Sequence, residues 1–262
     1  MTTTVRYGAK PAEQRRNREI EATSSKIWSE AITVIYETDP EIIAAVLPKP
    51  LEPSAEPLVR ATITTVRMPG GQPFGAGWFG VRARHGDVEG EYPLFMPMTT
   101  EQATIGGRET FGEPKKIGEV WAKRDGDQVE GGISRLGFPI IEVRGRIAEK
   151  REPYEKTKVD FYFKFLVNPD GSGFDHDPSL VYCTKVEEAR LYEGIDGEFI
   201  LKDSPLDPVA DLVVRRIVDM NWTERATIQT GKIVGTVPAE YVLPFVHQRY
   251  DDLSVLGAKA KD

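Results

Sequence analysis

A single cysteine, Cys183, in a chain of 262 residues excludes an internal disulfide framework and any cysteine-built structural zinc site, and it agrees with a reducing compartment. Its neighbours Leu180, Val181 and Tyr182 point to a strand and a packed, inert thiol. Histidine is nearly as scarce. His85, His176 and His247 are far apart, and none forms an H-x-H or H-x-x-x-H pair. The nearest approach to a cluster, Asp175-His176-Asp177, sits beside Gly171, Gly173 and Pro178 and reads as a solvated turn. No metal and no cofactor are expected. Positive charge is in deficit, 34 Lys+Arg against 41 Asp+Glu, and no basic stripe is present, which argues against a nucleic-acid partner. No apolar run approaches the roughly 20 residues of a membrane span, and the N-terminus lacks the apolar stretch of a signal peptide. A cytoplasmic protein with no membrane partner is the expectation.

What is present is a succession of short β-patterned segments. Residues 1–25 carry Arg15, Arg16 and Arg18 without apolar periodicity and read as an N-terminal arm, leaving 26–262 as one domain. Strands are expected at Ala31 to Tyr36, Pro57 to Met68, Trp78 to Arg84, Val88 to Met98, Ile117 to Arg124, Val129 to Leu136, Ile140 to Ala148 and Val159 to Val167. Two more, Val181 to Tyr192 and Glu198 to Lys202, flank Ile195-Asp196-Gly197, whose Asp-Gly step reads as a hairpin turn. Short helices are expected from Pro40, capped by Asp39, and from Thr100 through Glu109. Two further helices are expected at Pro205 to Arg216 and at Pro238 to about Asp252. Regular short strands with few helices imply a mainly β, antiparallel barrel or sandwich.

Gly75-Ala76-Gly77-Trp78-Phe79-Gly80 matches the G-x-G-x-x-G dinucleotide pattern, but no helix follows it, so it reads as a glycine-rich bend. No nucleophile elbow supports a serine triad. The informative stretch is Gly107-Arg108-Glu109-Thr110-Phe111-Gly112-Glu113-Pro114-Lys115-Lys116. An ordinary lysine is neutral about once in a few thousand molecules at pH 7, so an amine that is to attack a carbonyl must be shifted. Desolvation and a neighbouring ammonium both act in that direction.

Gly-Arg-Glu followed by Pro-Lys-Lys resembles the active-site signature of the acetoacetate decarboxylase family. Further landmarks extend the likeness along the chain: Tyr36-Glu37-Thr38-Asp39, Leu47-Pro48-Lys49-Pro50-Leu51-Glu52, Gly90-Glu91-Tyr92, Val167-Asn168-Pro169-Asp170-Gly171-Ser172 and Ser204-Pro205-Leu206-Asp207-Pro208. The resemblance implies a closed β-barrel or cone with a few flanking helices and a homo-oligomer. It also implies a Schiff-base lysine at Lys115, with Lys116 supplying a nearby positive charge. The decarboxylases carry an arginine early in the first strand and two glutamates in the next strands. Here Ser29, Thr62 and a residue among Ala76 to Trp78 stand at those places.

The resemblance therefore implies a lysine-dependent lyase on a small oxo acid or carbonyl compound, of the aldol or dehydration type. Decarboxylation of acetoacetate or another 3-oxo acid, and a non-catalytic small-molecule-binding barrel, stay open beside it. Candidates for proton transfer are Glu113 and Tyr250, with Glu101 and Gln102 on the preceding helix as substrate ligands. Trp78, Phe95, Met96 and Met98 are candidates to line an apolar cavity.

Overall fold

The computed structural model describes residues 5–14, 26–68 and 71–256. Most of the expected N-terminal arm, and Pro69 and Gly70 just after the strand expected at Pro57 to Met68, lie outside these residues. The strands are β1 (Ile27–Glu37), β2 (Glu52–Pro53), β3 (Leu58–Arg67), β4 (Phe74–His85), β5 (Val88–Met98), β6 (Lys115–Ile117), β7 (Glu119–Asp125), β8 (Gln128–Arg135), β9 (Phe138–Arg151), β10 (Tyr154–Lys164), β11 (Ser179–Leu201) and β12 (Arg216–Thr236). The helices are α1 (Pro40–Val46), α2 (Glu101–Phe111) and α3 (Ala239–Val242).

All twelve strands belong to one sheet, which closes on itself. The ring runs β10-β5-β4-β3-β1-β12-β11 and returns to β10. Every junction in it is antiparallel except β10 with β5, which meet in parallel at Asp160 and Glu91. The short strand β6 pairs in parallel with β5, Lys115 opposite Met96. The strands β11 and β12 are longer than the barrel needs. Beyond Ala189, β11 leaves β10 and pairs with β9, carrying the sheet on through β8 and β7. That extension folds over β1 and β3, so that a Cβ added at Gly131 of β8 would meet Ile32 and Ile63.

Alternation along the strands then divides the side chains between two interiors. Ile32 and Val34 of β1, Ile63 of β3 and Phe79 of β4 face the extension and join Ile133 and Ile141 in the larger apolar core. The opposite faces of the same strands point into the barrel lumen, where a smaller cluster of Trp78, Met96, Met98, Phe111, Val181 and Cys183 surrounds a cavity.

The mainly β barrel expected from the sequence is the fold found. Four local readings are corrected. Ile195-Asp196-Gly197 makes no hairpin. It runs through the interior of β11 and pairs with Gly145 to Ile147 of β9, because Gly197 and Gly145 let the two backbones approach closely. Residues 205–216 form no helix; two prolines leave only a 3₁₀ turn at Val209–Asp211 before β12 begins. The C-terminal helix from Pro238 stops at Val242 and continues as a 3₁₀ segment, Leu243–Gln248, with Pro244 at its start. Asp39 precedes α1 as expected, but its carboxylate accepts two hydrogen bonds from Arg215, at 2.9 and 2.6 Å, instead of capping the helix.

The glycine-rich Gly75–Gly80 lies inside β4, and added side chains there would collide with Val120, Pro97 and Tyr92. Close packing accounts for these glycines, and no dinucleotide site is formed. Cys183 is buried in β11, and burial pushes its thiol up to about 12. Among the described residues no helix is long and apolar enough to cross a membrane, and no group of three or more His, Cys, Asp or Glu is placed to hold a metal ion.

Candidate active site

The segment between α2 and β6 places the lysines. Thr100 caps the first turn of α2, accepting from the Ala103 amide, and Gly112 ends the helix in the left-handed region at φ 85°. Glu113 and Pro114 then turn the chain into β6, with the Lys115 amide donating to the Glu113 carbonyl at 2.8 Å. Arg108 donates to the Lys115 carbonyl at 3.0 Å and to that of Arg249 at 3.1 Å, fixing the turn against the C-terminal segment.

Strand parity in β6 sends Lys115 into the lumen and Lys116 out of it. Lys115 is 1% exposed and its Nζ lies 2.6 Å from Oε2 of Glu113, itself 1% exposed. Directly above the pair, α2 presents Gly107, where an added Cβ would overlap both the Glu113 carboxylate and Lys115 Nζ. The cavity they face has a volume of about 140 Å³.

The expectation that Lys116 supplies positive charge to Lys115 is corrected. Its ammonium is committed to Asp207 at 2.9 Å and Asp251 at 3.2 Å, in a cluster completed by Arg135. It borders a second cavity of about 210 Å³, on the other side of the sheet, which Phe95 also lines. Phe95 is thereby excluded from the lumen, again by parity. Substituting Lys116→Met should lower stability by about 2 kcal/mol, the loss of a charged hydrogen bond to a buried carboxylate that Arg135 still partly pairs. The melting temperature should fall by roughly 4 to 8 °C. Covalent capture of a carbonyl compound at Lys115 should persist in that variant, as mass spectrometry would read.

Of the other candidates, Trp78, Met96 and Met98 line the cavity and Glu113 contacts Lys115. Glu101 and Gln102 are exposed in the first turn of α2 and do not reach the lumen. Tyr250 packs against Phe165 and under Arg108, outside the cavity lining, so its phenol is not placed to shuttle a proton there.

Sequence reasoning missed the charged side chains of the lumen. Ser29, Thr62, Ala76, Gly77 and Trp78 do line the cavity and are uncharged, but the site is not stripped of charge. Arg60, Lys158, Lys185, Glu187 and Arg225 enter it from β3, β10, β11 and β12. Arg60 stacks 3.5 Å over Trp78 and forks onto Glu91 at 2.8 and 2.6 Å. Asp160 accepts from Lys185 at 2.5 Å, Tyr162 at 2.9 Å and the Trp78 indole at 3.2 Å. Lys158 meets Glu187 at 2.5 Å. A signal was available: Lys158-Val159-Asp160-Phe161-Tyr162 and Val59-Arg60-Ala61-Thr62-Ile63 alternate polar with apolar, and in a barrel the polar face of such a strand can be the inner one.

Burial would raise the carboxyls of Glu91, Asp160 and Glu187, but neighbouring cations outweigh it and hold all three low. Arg60 and Lys158 act on Glu91, Lys185 and Lys158 on Asp160, and Arg225 and Lys158 on Glu187. Groups lowered in the folded state contribute stability above their unfolded values near 4, and that stability is lost as pH falls through the lower folded values. Thermal melts should therefore vary little from pH 7 to about 5 and drop steeply below about pH 4. Lys158 is also lowered from its usual value, to about 8, by burial and then by Arg60, which in a lysine disfavours the charged form.

A buried amine beside a buried carboxylate, under a small cavity ringed by cations, is equipped to form an imine with a carbonyl compound. The family model for acetoacetate decarboxylase matches residues 9–237. The acetoacetate decarboxylase of Chromobacterium violaceum is 32% identical over 221 residues, covering 78% of this chain and 85% of that protein. In structure, the acetoacetate decarboxylase of Legionella pneumophila superposes with a TM-score of 0.71 at 21% identity, over 81% of this chain and 88% of that one. The enduracididine biosynthesis enzyme MppR complexed with pyruvate superposes with a TM-score of 0.69 at 15% identity, over 80% and 90%.

Proposed function

Since this chain belongs to the acetoacetate decarboxylase family and is an enzyme of the lyase kind, we propose that it acts through an imine between Lys115 and a small oxo acid, using Glu113 to carry protons. The observation that carries this reading is the buried contact of Lys115 Nζ with Glu113 at the cavity floor, 2.6 Å. Glu113 takes a proton from the Lys115 ammonium, and the free amine adds to the carbonyl carbon. The same carboxyl returns the proton to the carbinolamine hydroxyl, which leaves as water. The protonated imine that results accepts the electron pair of a bond to the adjacent carbon.

Which bond breaks separates the two chemical readings. Loss of a C–H proton gives an enamine for aldol condensation or dehydration. Loss of CO₂ gives the same enamine by decarboxylation. We favour the first, supported by the uncharged Ser29, Thr62 and Ala76 to Trp78, where the decarboxylases carry an arginine and two glutamates. The second is favoured by the 32% identity to a named acetoacetate decarboxylase. A cytoplasmic, homo-oligomeric enzyme completes the proposal, supported by the lone buried cysteine and the family membership.

Borohydride reduction in the presence of pyruvate and of acetoacetate, followed by peptide mass spectrometry against Lys115→Ala, tests the imine. A reduced adduct on Lys115 is expected, and a folded protein that captures nothing would overturn the reading. CO₂ release from acetoacetate, set against condensation of pyruvate with a small aldehyde, then decides which bond breaks.

A further inference from the structure

Among the described residues, five cationic side chains border the lumen: Arg60, Lys115, Lys158, Lys185 and Arg225. Four carboxylates face them. Arg60 is matched by Glu91, Lys185 by Asp160 and Lys115 by Glu113, which leaves Lys158 and Arg225 to share Glu187. The division is unequal. Lys158 takes Oε2 of Glu187 at 2.5 Å, whereas Arg225 stands 3.5 Å from Oε1, an oxygen that accepts no hydrogen bond among the described residues. Surface Lys156, 3.9 Å from Oε1, adds to the positive side of the balance.

Arg225 is thus unusual for a buried arginine. Its side chain is 10% exposed and its guanidinium donates no hydrogen bond among the described residues. Arg60, a few strands away, shows the contrast, with its donors spent on Glu91 and Thr62. A buried guanidinium with idle donors is costly unless a partner arrives, and its planar fork fits the two oxygens of a carboxylate. Nor is its position arbitrary. Arg225 pairs in register with Ser29 of β1, whose short side chain leaves the lumen open in front of it. Around the ring, β12 stands three strands from β5 by way of β10 and β11, so Arg225 reaches in across the lumen from Lys115.

We propose that Arg225, assisted by Lys158, is the specificity-determining residue that binds a carboxylate of the substrate while the substrate carbonyl is held at Lys115. A carboxylate seated there gives the guanidinium two charge-assisted hydrogen bonds and balances the extra cation. Oxo acids are thereby selected over neutral ketones and aldehydes of the same shape. This inference rests on the imine reading above only for the identity of the second anchor point.

The test compares acid with amide in one protein. Half-saturating concentrations for borohydride capture at Lys115 are measured with pyruvate and with pyruvamide, a near-isosteric pair in which an uncharged amide replaces the carboxylate. The wild type should favour the acid by at least about 30-fold. In Arg225→Gln the ratio should fall below about 3-fold, and Arg225→Lys should restore part of it. A wild-type ratio near one, or a preference that survives in Arg225→Gln, overturns the proposal. Propanoate, which has no carbonyl, provides a readout that needs no imine and no variant that folds. It should compete with capture of pyruvate in the wild type much more strongly than propanamide does, and equal competition by the two counts against the subsite. If the folded wild type captures neither carbonyl compound, the imine reading fails by itself. Saturable thermal stabilisation by propanoate, lost in Arg225→Gln and partly kept in Arg225→Lys, would then still support the carboxylate site, and its absence in the wild type would end it.

Discussion

Substituting Glu113→Gln is expected to leave Lys115 able to form a reducible adduct while catalysed exchange of the pyruvate methyl hydrogens for deuterium falls by roughly 10²- to 10⁴-fold. The two readouts separate because they ask different things of the carboxyl group. Capture is read after equilibration, so it depends on whether the amine can reach and hold a carbonyl carbon. Exchange is a rate, and every cycle needs a proton carried to and from the reacting atoms. Glutamine preserves the size of the side chain that sits 2.6 Å from Lys115 Nζ but cannot accept the ammonium proton. Removing the carboxylate also removes a contact that favours the charged amine in this pocket. Deuterium exchange within about threefold of wild type would show that another group carries the proton. Loss of capture in a folded Glu113→Gln protein would show that Glu113 positions Lys115 instead.

Much of this site was legible from residue order, and the reasons for the rest are geometric. The Gly107 to Lys116 stretch is contiguous, so its likeness to a known signature and the role of a buried amine could be read together. The strands that form the barrel were equally visible, since Val88 to Met98 and its neighbours carry β-branched and aromatic residues between clear turns. What contiguity could not supply was parity. Adjacent lysines look like a cooperating pair in sequence, yet in a strand they point to opposite faces, and only the pairing of β6 with β5 sets which of them meets the cavity. The same rule moved Phe95 out of the lumen while keeping Met96 and Met98 in it. Arg225 was invisible for another reason. It is 196 residues from Ser29, and nothing local says that the strand holding it lies beside the first. Charges missing at Ser29 and Thr62 therefore read as charges missing from the site. The lumen instead draws its cations from Arg60, two residues before Thr62, and from strands later in the chain.

Gly107→Ala should damage catalysis out of proportion to the single carbon it adds. Helix α2 passes so close to the active pair that its backbone occupies the space beside Glu113 Oε2 and Lys115 Nζ, and a methyl group there overlaps both. Neither neighbour can give way at low cost. Both are buried, and the turn that carries them is tied down by the Glu113 amide bond to the Gly107 carbonyl at 3.3 Å and by the Arg108 bond to the Lys115 carbonyl. Alanine is otherwise the better helix former, by about 1 kcal/mol in a helix interior. Overpacking a rigid site costs typically 1–3 kcal/mol, so the clash offsets or exceeds that gain. The decisive readout is the rate. Displacing a nucleophile by about 1 Å costs roughly 100-fold, so deuterium exchange should fall by at least that much while the melting temperature moves by no more than roughly 8 °C. Gln102→Ala, at an exposed position in the first turn of the same helix, provides the comparison. It should keep near wild-type rates and melt at the same temperature or higher. If the two alanine variants behaved alike, the close approach of α2 to Lys115 would have no part in holding the amine in place.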